Sequence, residues 1–175
     1  MKSYEFIQKA KFIKLMIFDV DGVFTDGKIY VDDRGLEIKA FHVLDGNGIK
    51  LLQEMNIEIA VISGRDAPGV NFRMESLGIR HIYQGQADKL PVYQELLKKL
   101  KLQDKEVAYM GDDLQDLSLL KIVGLGITVP NAVKEVLENT TFVTKARGGE
   151  GAIREVCESI LKAQGKWKEV LSKYL

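Results

Sequence analysis

The chain alternates between two hydrophobic rhythms. Four short apolar runs, KLMIFD (Lys14 to Asp19), IEIAVIS (Ile57 to Ser63), EVAYMG (Glu106 to Gly111) and VGLGITV (Val123 to Val129), are separated by stretches of helical pattern near Gly48–Met55, Gly69–Leu77, Pro91–Leu100 and Leu114–Lys121. The runs are continuous rather than alternating, which predicts strands covered on both faces. Strand and helix in repeated alternation predict right-handed βαβ units and an α/β, Rossmann-like, doubly wound parallel sheet.

One segment breaks this rhythm. Lys28–Val31 and Leu36–Phe41 read as short strands joined by Asp32-Asp33-Arg34-Gly35, a turn-forming link. A β-hairpin over about residues 27–41 is therefore expected after the first strand. Ile29, Tyr30, Val31, Leu36, Ile38 and Phe41 make it apolar on more than one face. A lone hairpin is marginal in water, and an uncovered apolar ribbon invites association. A closed homo-oligomer in which hairpins pack on one another follows as an expectation. Residues 165–175 read as a short helix or a tail, with Lys166 and Trp167 offering contacts to a neighbouring site.

Composition narrows the classes. The 175 residues suit one domain, and no repeat or linker divides them. Lys plus Arg and Asp plus Glu both total 25, so there is no basic excess to hold nucleic acid. Cys157 is the only cysteine, which fits a reducing compartment. The N-terminal MKSYEFIQKAKFIK lacks the apolar core and cleavage site of a secretory signal. No stretch is apolar for the length of a membrane span. A cytoplasmic protein with neither membrane nor nucleic acid as partner is expected.

The pointed chemistry falls where the strands end, which is where open α/β sheets bind ligands. The first strand delivers Asp19-Val20-Asp21-Gly22, and residues two apart in extended chain face the same way. The third delivers Gly111-Asp112-Asp113, with Asp116 a turn later. Carboxylates converging from two strands repel unless a cation joins them, and hard oxygen ligands suit Mg²⁺. Taken singly, Asp113 and Asp116 could equally be helix caps. Ser63-Gly64-Arg65 offers a hydroxyl, a backbone N–H and a guanidinium to an oxyanion, although alone it reads better as a cap beside a solvated arginine. Lys89 lies between Asp88 and Pro91 at a predicted helix start, the wrong end of the dipole for a cation. An anion close to it is expected.

These motifs, Asp19-Val20-Asp21-Gly22, Ser63, Lys89 and Gly111-Asp112-Asp113, resemble the four ordered motifs of the haloacid dehalogenase superfamily. Within it, the stretches Gly22–Gly27, Phe41–Ile49 and Gly148–Cys157 are similar to the family of 3-deoxy-D-manno-octulosonate 8-phosphate (KDO 8-phosphate) phosphatases, and the similarity runs nearly the length of the chain. The resemblance implies a fold without a large cap domain, a homotetramer whose hairpins close neighbouring sites, a Mg²⁺ cofactor and a sugar-acid phosphate substrate in lipopolysaccharide precursor synthesis. It implies Asp19 as nucleophile and metal ligand, Asp21 as general acid and base with its carbonyl on the metal, and Asp112 as a further ligand. Ser63 and Lys89 would hold the phosphoryl group. Asp113 would support the metal or meet the substrate. His42, Val43, Leu44, Asp45, Gly46, Lys50, Gly64, Arg65 and Arg73 would contact the substrate. The family often has Asn where His42 stands and Arg where Lys50 stands. A related nine-carbon substrate, a broad phosphomonoesterase and a non-catalytic phosphatase-like oligomerisation module are the competing readings. Intact Asp19 and Asp21 argue against the last.

Overall fold

The computed structural model describes residues 4–175; Met1 to Ser3 of the N-terminal stretch lie outside the described residues. The four apolar runs become β1 (Leu15–Phe18), β4 (Glu58–Ile62), β6 (Val107–Met110) and β7 (Leu125–Thr128). Two further strands occupy the edges, β5 (His81–Tyr83) and β8 (Phe142–Val143), too short to announce themselves by pattern. All six are parallel in the order β5-β4-β1-β6-β7-β8. β1 is therefore central, with Leu15 opposite both Glu58 and Val107. The chain builds outward on one side, crosses β1 and builds outward on the other. This reversal opens a crevice at the carboxyl end of β1.

Both faces of the sheet are covered, as continuous apolar strands require. Met16 and Phe18 face a core shared with α1 (Tyr4–Ala10), α2 (Val43–Glu54), α3 (Pro68–Ser76) and α7 (Ala152–Ala163). Leu15 and Ile17 face a second core with α4 (Leu90–Leu100), α5 (Leu117–Leu120) and α6 (Lys134–Asn139). The last expected helix is split, with a 3₁₀ turn at Leu114–Asp116 preceding α5. The Gly148–Cys157 motif opens α7, which packs across α2.

The hairpin forms where expected but is slight: β2 (Tyr30–Val31) and β3 (Glu37–Ile38) share one antiparallel step. Asp32 Oδ1 closes its turn, accepting from the N–H groups of Arg34 at 2.9 Å and Leu36 at 2.8 Å. Its Ile29, Tyr30, Val31, Leu36 and Ile38 are all exposed. The C-terminal tail is a docked helix, α8 (Trp167–Ser172), with Val170 buried. Lys166 Nζ donates to Met55 O at 2.9 Å, and Trp167 packs on the core. Lys166 and Trp167 thus bind their own subunit at the amino end of the sheet, the end opposite the acidic strand ends. No helix among the described residues is long and apolar enough to cross a membrane.

Candidate active site

The sheet carries its first acid directly. The Asp19 N–H still donates to Met110 O at 2.9 Å, continuing the ladder one residue past β1. Val20 then turns fully into the core, and Gly22 adopts φ +79°. A Cβ at Gly22 would lie 1.9 Å from Asp112 Oδ2, so glycine is what lets a carboxylate from β6 press on this turn. Asn131 fastens the turn from outside, with Nδ2 donating to Gly22 O at 3.0 Å and Oδ1 accepting from the Gly148 N–H at 2.8 Å.

Asp19, Asp21, Gly22, Gly27, Ser63, Gly64, Arg65, Asp112, Asp113 and Gln115 line a pocket of about 230 Å³ at the carboxyl ends of β1, β4 and β6. Larger clefts of about 390 and 760 Å³ lie around Asn56 and Ile57 at the opposite, amino end of the sheet, and each carries a single glutamate. Size does not locate the chemistry here; the convergence of acids does.

Lys89 meets two anions, as its position demanded. The residue is fully buried at the start of α4. Its Nζ lies 2.9 Å from Asp19 Oδ1 and 2.6 Å from Asp116 Oδ1, and donates to Tyr109 Oη at 3.1 Å. Burial opposes its charge, but the two carboxylates outweigh burial and hold the ammonium above its ordinary value. Asp116 is saturated: Oδ1 also accepts from Tyr109 Oη at 2.6 Å, and Oδ2 accepts from the Asp112 and Asp113 N–H groups at 2.8 and 3.0 Å. Asp116 therefore both caps the 3₁₀ turn and joins the charged core of the site. Asp113 caps the same turn, accepting from the Leu114 N–H at 2.7 Å.

Carboxylate oxygens of Asp19, Asp112 and Asp116 lie within 4.8 Å of one another. Burial raises Asp19 to about 7, against the pull of Lys89 and with a push from Asp116. Burial and the neighbouring Asp19, Asp116 and Asp113 charges raise Asp112 to about 8. Asp112 Oδ1 is buried without a hydrogen-bond partner. Two crowded, desolvated acids with an orphaned oxygen between strands fit a hard divalent cation such as Mg²⁺. With Asp116 saturated, Asp19 and Asp112 are the acids left to serve it.

At the mouth, the hairpin reaches over the pocket. Asp21 is paired with Lys39 Nζ, and Arg65 Nε lies 3.8 Å from its other oxygen. Glu37 is paired with Arg65 Nη2 and lies 3.7 Å from Lys39. Ser63 is buried beside them, its Oγ accepting from the Arg65 N–H at 3.3 Å.

The expected substrate contacts divide. Asp21, Ser63, Gly64, Arg65 and Asp113 line the pocket, and Lys89 stands behind Asp19. His42, Val43, Leu44, Asp45, Gly46, Lys50 and Arg73 lie outside its lining. Val43 and Leu44 are exposed at the start of α2. Asp45 is buried and caps α7, with Oδ1 accepting from the Arg154 N–H at 2.8 Å. Arg73 lies against Phe41, 6.0 Å from the ring centre, and so close to Gly46 that a Cβ there would be 2.4 Å from Nη2. Asp116 was read only as one of the converging acids or a cap, and Tyr109, Gln115, Lys39 and Glu37, which also border the pocket or its charged rear, were not foreseen. Of these, only Asp116 carried a signal, its spacing of four from Asp112.

Residues 72–155 match the haloacid dehalogenase-like hydrolase family. The chain is 49% identical over 160 residues to the 3-deoxy-D-manno-octulosonate 8-phosphate phosphatase of Yersinia pestis, covering 91% of this chain and 86% of that one. It is 47% identical over 167 residues to the Escherichia coli K12 enzyme of that name, covering 95% and 89%. A crystal structure of the Moraxella catarrhalis enzyme, in complex with magnesium, phosphate and KDO, superposes with a TM-score of 0.96 at 44% identity, covering 99% of this chain and 100% of that one.

Proposed function

The chain belongs to the 3-deoxy-D-manno-octulosonate 8-phosphate phosphatase family of haloacid dehalogenase-like hydrolases, and from that premise we propose how its own residues perform the reaction. It is a Mg²⁺-dependent phosphoric monoester hydrolase that releases inorganic phosphate from a small sugar-acid phosphate, KDO 8-phosphate, in lipopolysaccharide precursor synthesis. The observation that carries the assignment of roles is the Asp19–Lys89–Asp112 cluster at the carboxyl end of the central strand.

Asp19, Asp112 and the Asp21 carbonyl would hold the metal. Bound magnesium supplies positive charge, which lets an anionic carboxylate and an anionic phosphate approach each other. An Asp19 oxygen attacks phosphorus, the ester P–O bond breaks, and an aspartyl phosphate forms. Asp21 gives a proton to the departing sugar oxygen, then takes one from the water that attacks phosphorus and frees Asp19. Lys89 orients Asp19 and offsets the charge of the transferring group, which Ser63 and the Gly64 N–H cradle. Arg65 meets the substrate at the mouth, and Asp113 supports the metal shell through the turn it caps.

The exposed apolar residues on both faces of the hairpin support a homotetramer, in which neighbouring subunits cover them and bring further side chains to the mouth. His42, Val43, Leu44, Lys50 and Arg73 would act there, the first three on a helix start that buried Asp45 and Gly46 hold in place. One domain and a cytoplasmic location complete the reading. Phosphate release from KDO 8-phosphate, from a nine-carbon sugar-acid phosphate and from simple phosphomonoesters tests it. The expected result is highest kcat/KM on KDO 8-phosphate, loss of activity with EDTA and return with Mg²⁺. Activity surviving full chelation, or equal rates on all substrates, overturns it. Light scattering at micromolar protein is expected to give the tetramer mass; a fully active monomer overturns the shared mouth.

A further inference from the structure

Four charges at the pocket mouth form a closed ring of alternating sign. Lys39 Nζ donates to Asp21 Oδ1, Asp21 Oδ2 lies 3.8 Å from Arg65 Nε, Arg65 Nη2 donates to Glu37 Oε1, and Glu37 Oε2 lies 3.7 Å from Lys39 Nζ. Three separate pieces of chain supply it: the turn after β1, the end of β4, and the hairpin. Lys39 differs from its surroundings. Both strands of the hairpin are exposed, yet the Lys39 side chain is only 5% exposed. Desolvating an ammonium is costly unless anions meet it, and the carboxylates that meet this one are Asp21 and Glu37.

The ring has a chemical consequence. In it, Asp21 is occupied as the partner of a buried cation. To protonate the sugar oxygen it must turn toward the substrate, and Lys39 and Arg65 then lose an anion they were built around. A neutral alcohol cannot replace it. A sugar-acid phosphate can, because it carries a second anion, the carboxylate, at the far end from the phosphate. We propose that Lys39 is a specificity-determining residue: with Arg65 it exchanges Asp21 for the substrate's carboxylate, so that the acid/base is released only when a carboxylate-bearing substrate is bound. This rests on the sugar-acid phosphate reading above. The ligand shifts the ring because it interacts differently with its two states. Selection then acts on kcat as well as KM, since a phosphate ester without a carboxylate leaves Asp21 held.

The test compares KDO 8-phosphate with ribose 5-phosphate, a sugar phosphate without a carboxylate, in wild type and in Lys39→Met, Lys39→Gln and Lys39→Arg, each with saturating Mg²⁺. Removing one partner of a buried charge pair is expected to lower kcat/KM on KDO 8-phosphate roughly 10²-fold. On ribose 5-phosphate kcat should rise, because Asp21 is no longer held, and an unchanged kcat there would overturn the exchange. Lys39→Arg, which keeps the charge, should retain most of the wild-type preference. Two neutral variants of different polarity guard against one failing to fold. Equal proportional losses on both substrates, or no loss on either, would overturn the exchange. Failure of the underlying substrate reading is separately visible, because the wild type would then show no preference for KDO 8-phosphate.

Discussion

The pocket is bounded by two charge networks of similar make-up and opposite character. At the rear of the pocket, Lys89, Asp19, Asp116 and Tyr109 are all but sealed from solvent, held within 3.1 Å of one another along the chain of contacts. At the mouth, Asp21, Glu37 and Arg65 keep 29%, 29% and 48% of their side-chain surface, and two of the four contacts are longer than a hydrogen bond. The rear network hangs from the sheet through β1 and β6; the front network hangs partly from a hairpin with a single ladder step. Burial makes the rear contacts strong and their loss costly. Partial exposure makes the front contacts exchangeable. The proposed mechanism thus asks one part of the site to hold still and the other to exchange partners.

The sharpest way to break the rear network is to remove the carboxylate proposed as its nucleophile. Asp19→Asn should lower turnover by roughly 10⁴-fold or more while the protein stays folded. Phosphate release at equal folded protein checks this, and activity within tenfold of wild type would refute the mechanism. Lys89→Met tests stability instead, since it leaves Asp19 and Asp116 buried without their cation. Denaturant titration should show a loss of about 3–5 kcal/mol, well beyond any effect of Lys39→Met at the mouth.

A milder perturbation is pH. Asp19 and Asp112 hold their protons to about 7 and about 8 in the fold, against an ordinary 3.8 when unfolded. Between pH 4 and 8 the metal-free fold therefore binds more protons than the unfolded chain, and its stability falls as pH rises. Mg²⁺ binds the ionised pair, so the rise in melting temperature on adding it should be larger at pH 8.5 than at pH 6. A shift independent of pH would contradict a cation held by these two acids. The smallest expected effect is Tyr109→Phe, which removes one neutral donor from Asp116 and should slow kcat by roughly threefold to tenfold with KM unchanged.

How much of this was legible in the sequence follows from the same division. Continuous apolar runs marked four strands of a parallel sheet, and residues at or just past the ends of three of them named Asp19, Ser63 and Asp112. Lys89 advertised its partners by sitting at the wrong end of a helix. Asp116 was ambiguous because its two roles share one side chain, and capping alone accounts for its spacing. Tyr109 was hidden inside a strand, where an aromatic residue needs no special reason. Lys39 was hidden because a hairpin lysine ordinarily points to water. β5 and β8 were missed because three and two residues are too few to show a rhythm. Contacts made by packing, rather than by position along a strand, leave no local trace.

The central place of β1 also sets an order of events during synthesis. Leu15 finds Glu58 beside it early, but its other edge pairs with Val107, which emerges much later. At ~5–20 residues per second, this fully apolar strand waits half-paired for roughly 2–10 s. Lys11 and Lys14 precede it, and Asp19 and Asp21 follow it. Charges flanking an unavoidable hydrophobic strand act as gatekeepers against aggregation. The carboxylates proposed to attack phosphate and move protons thus first serve the nascent chain as solubilising sentries.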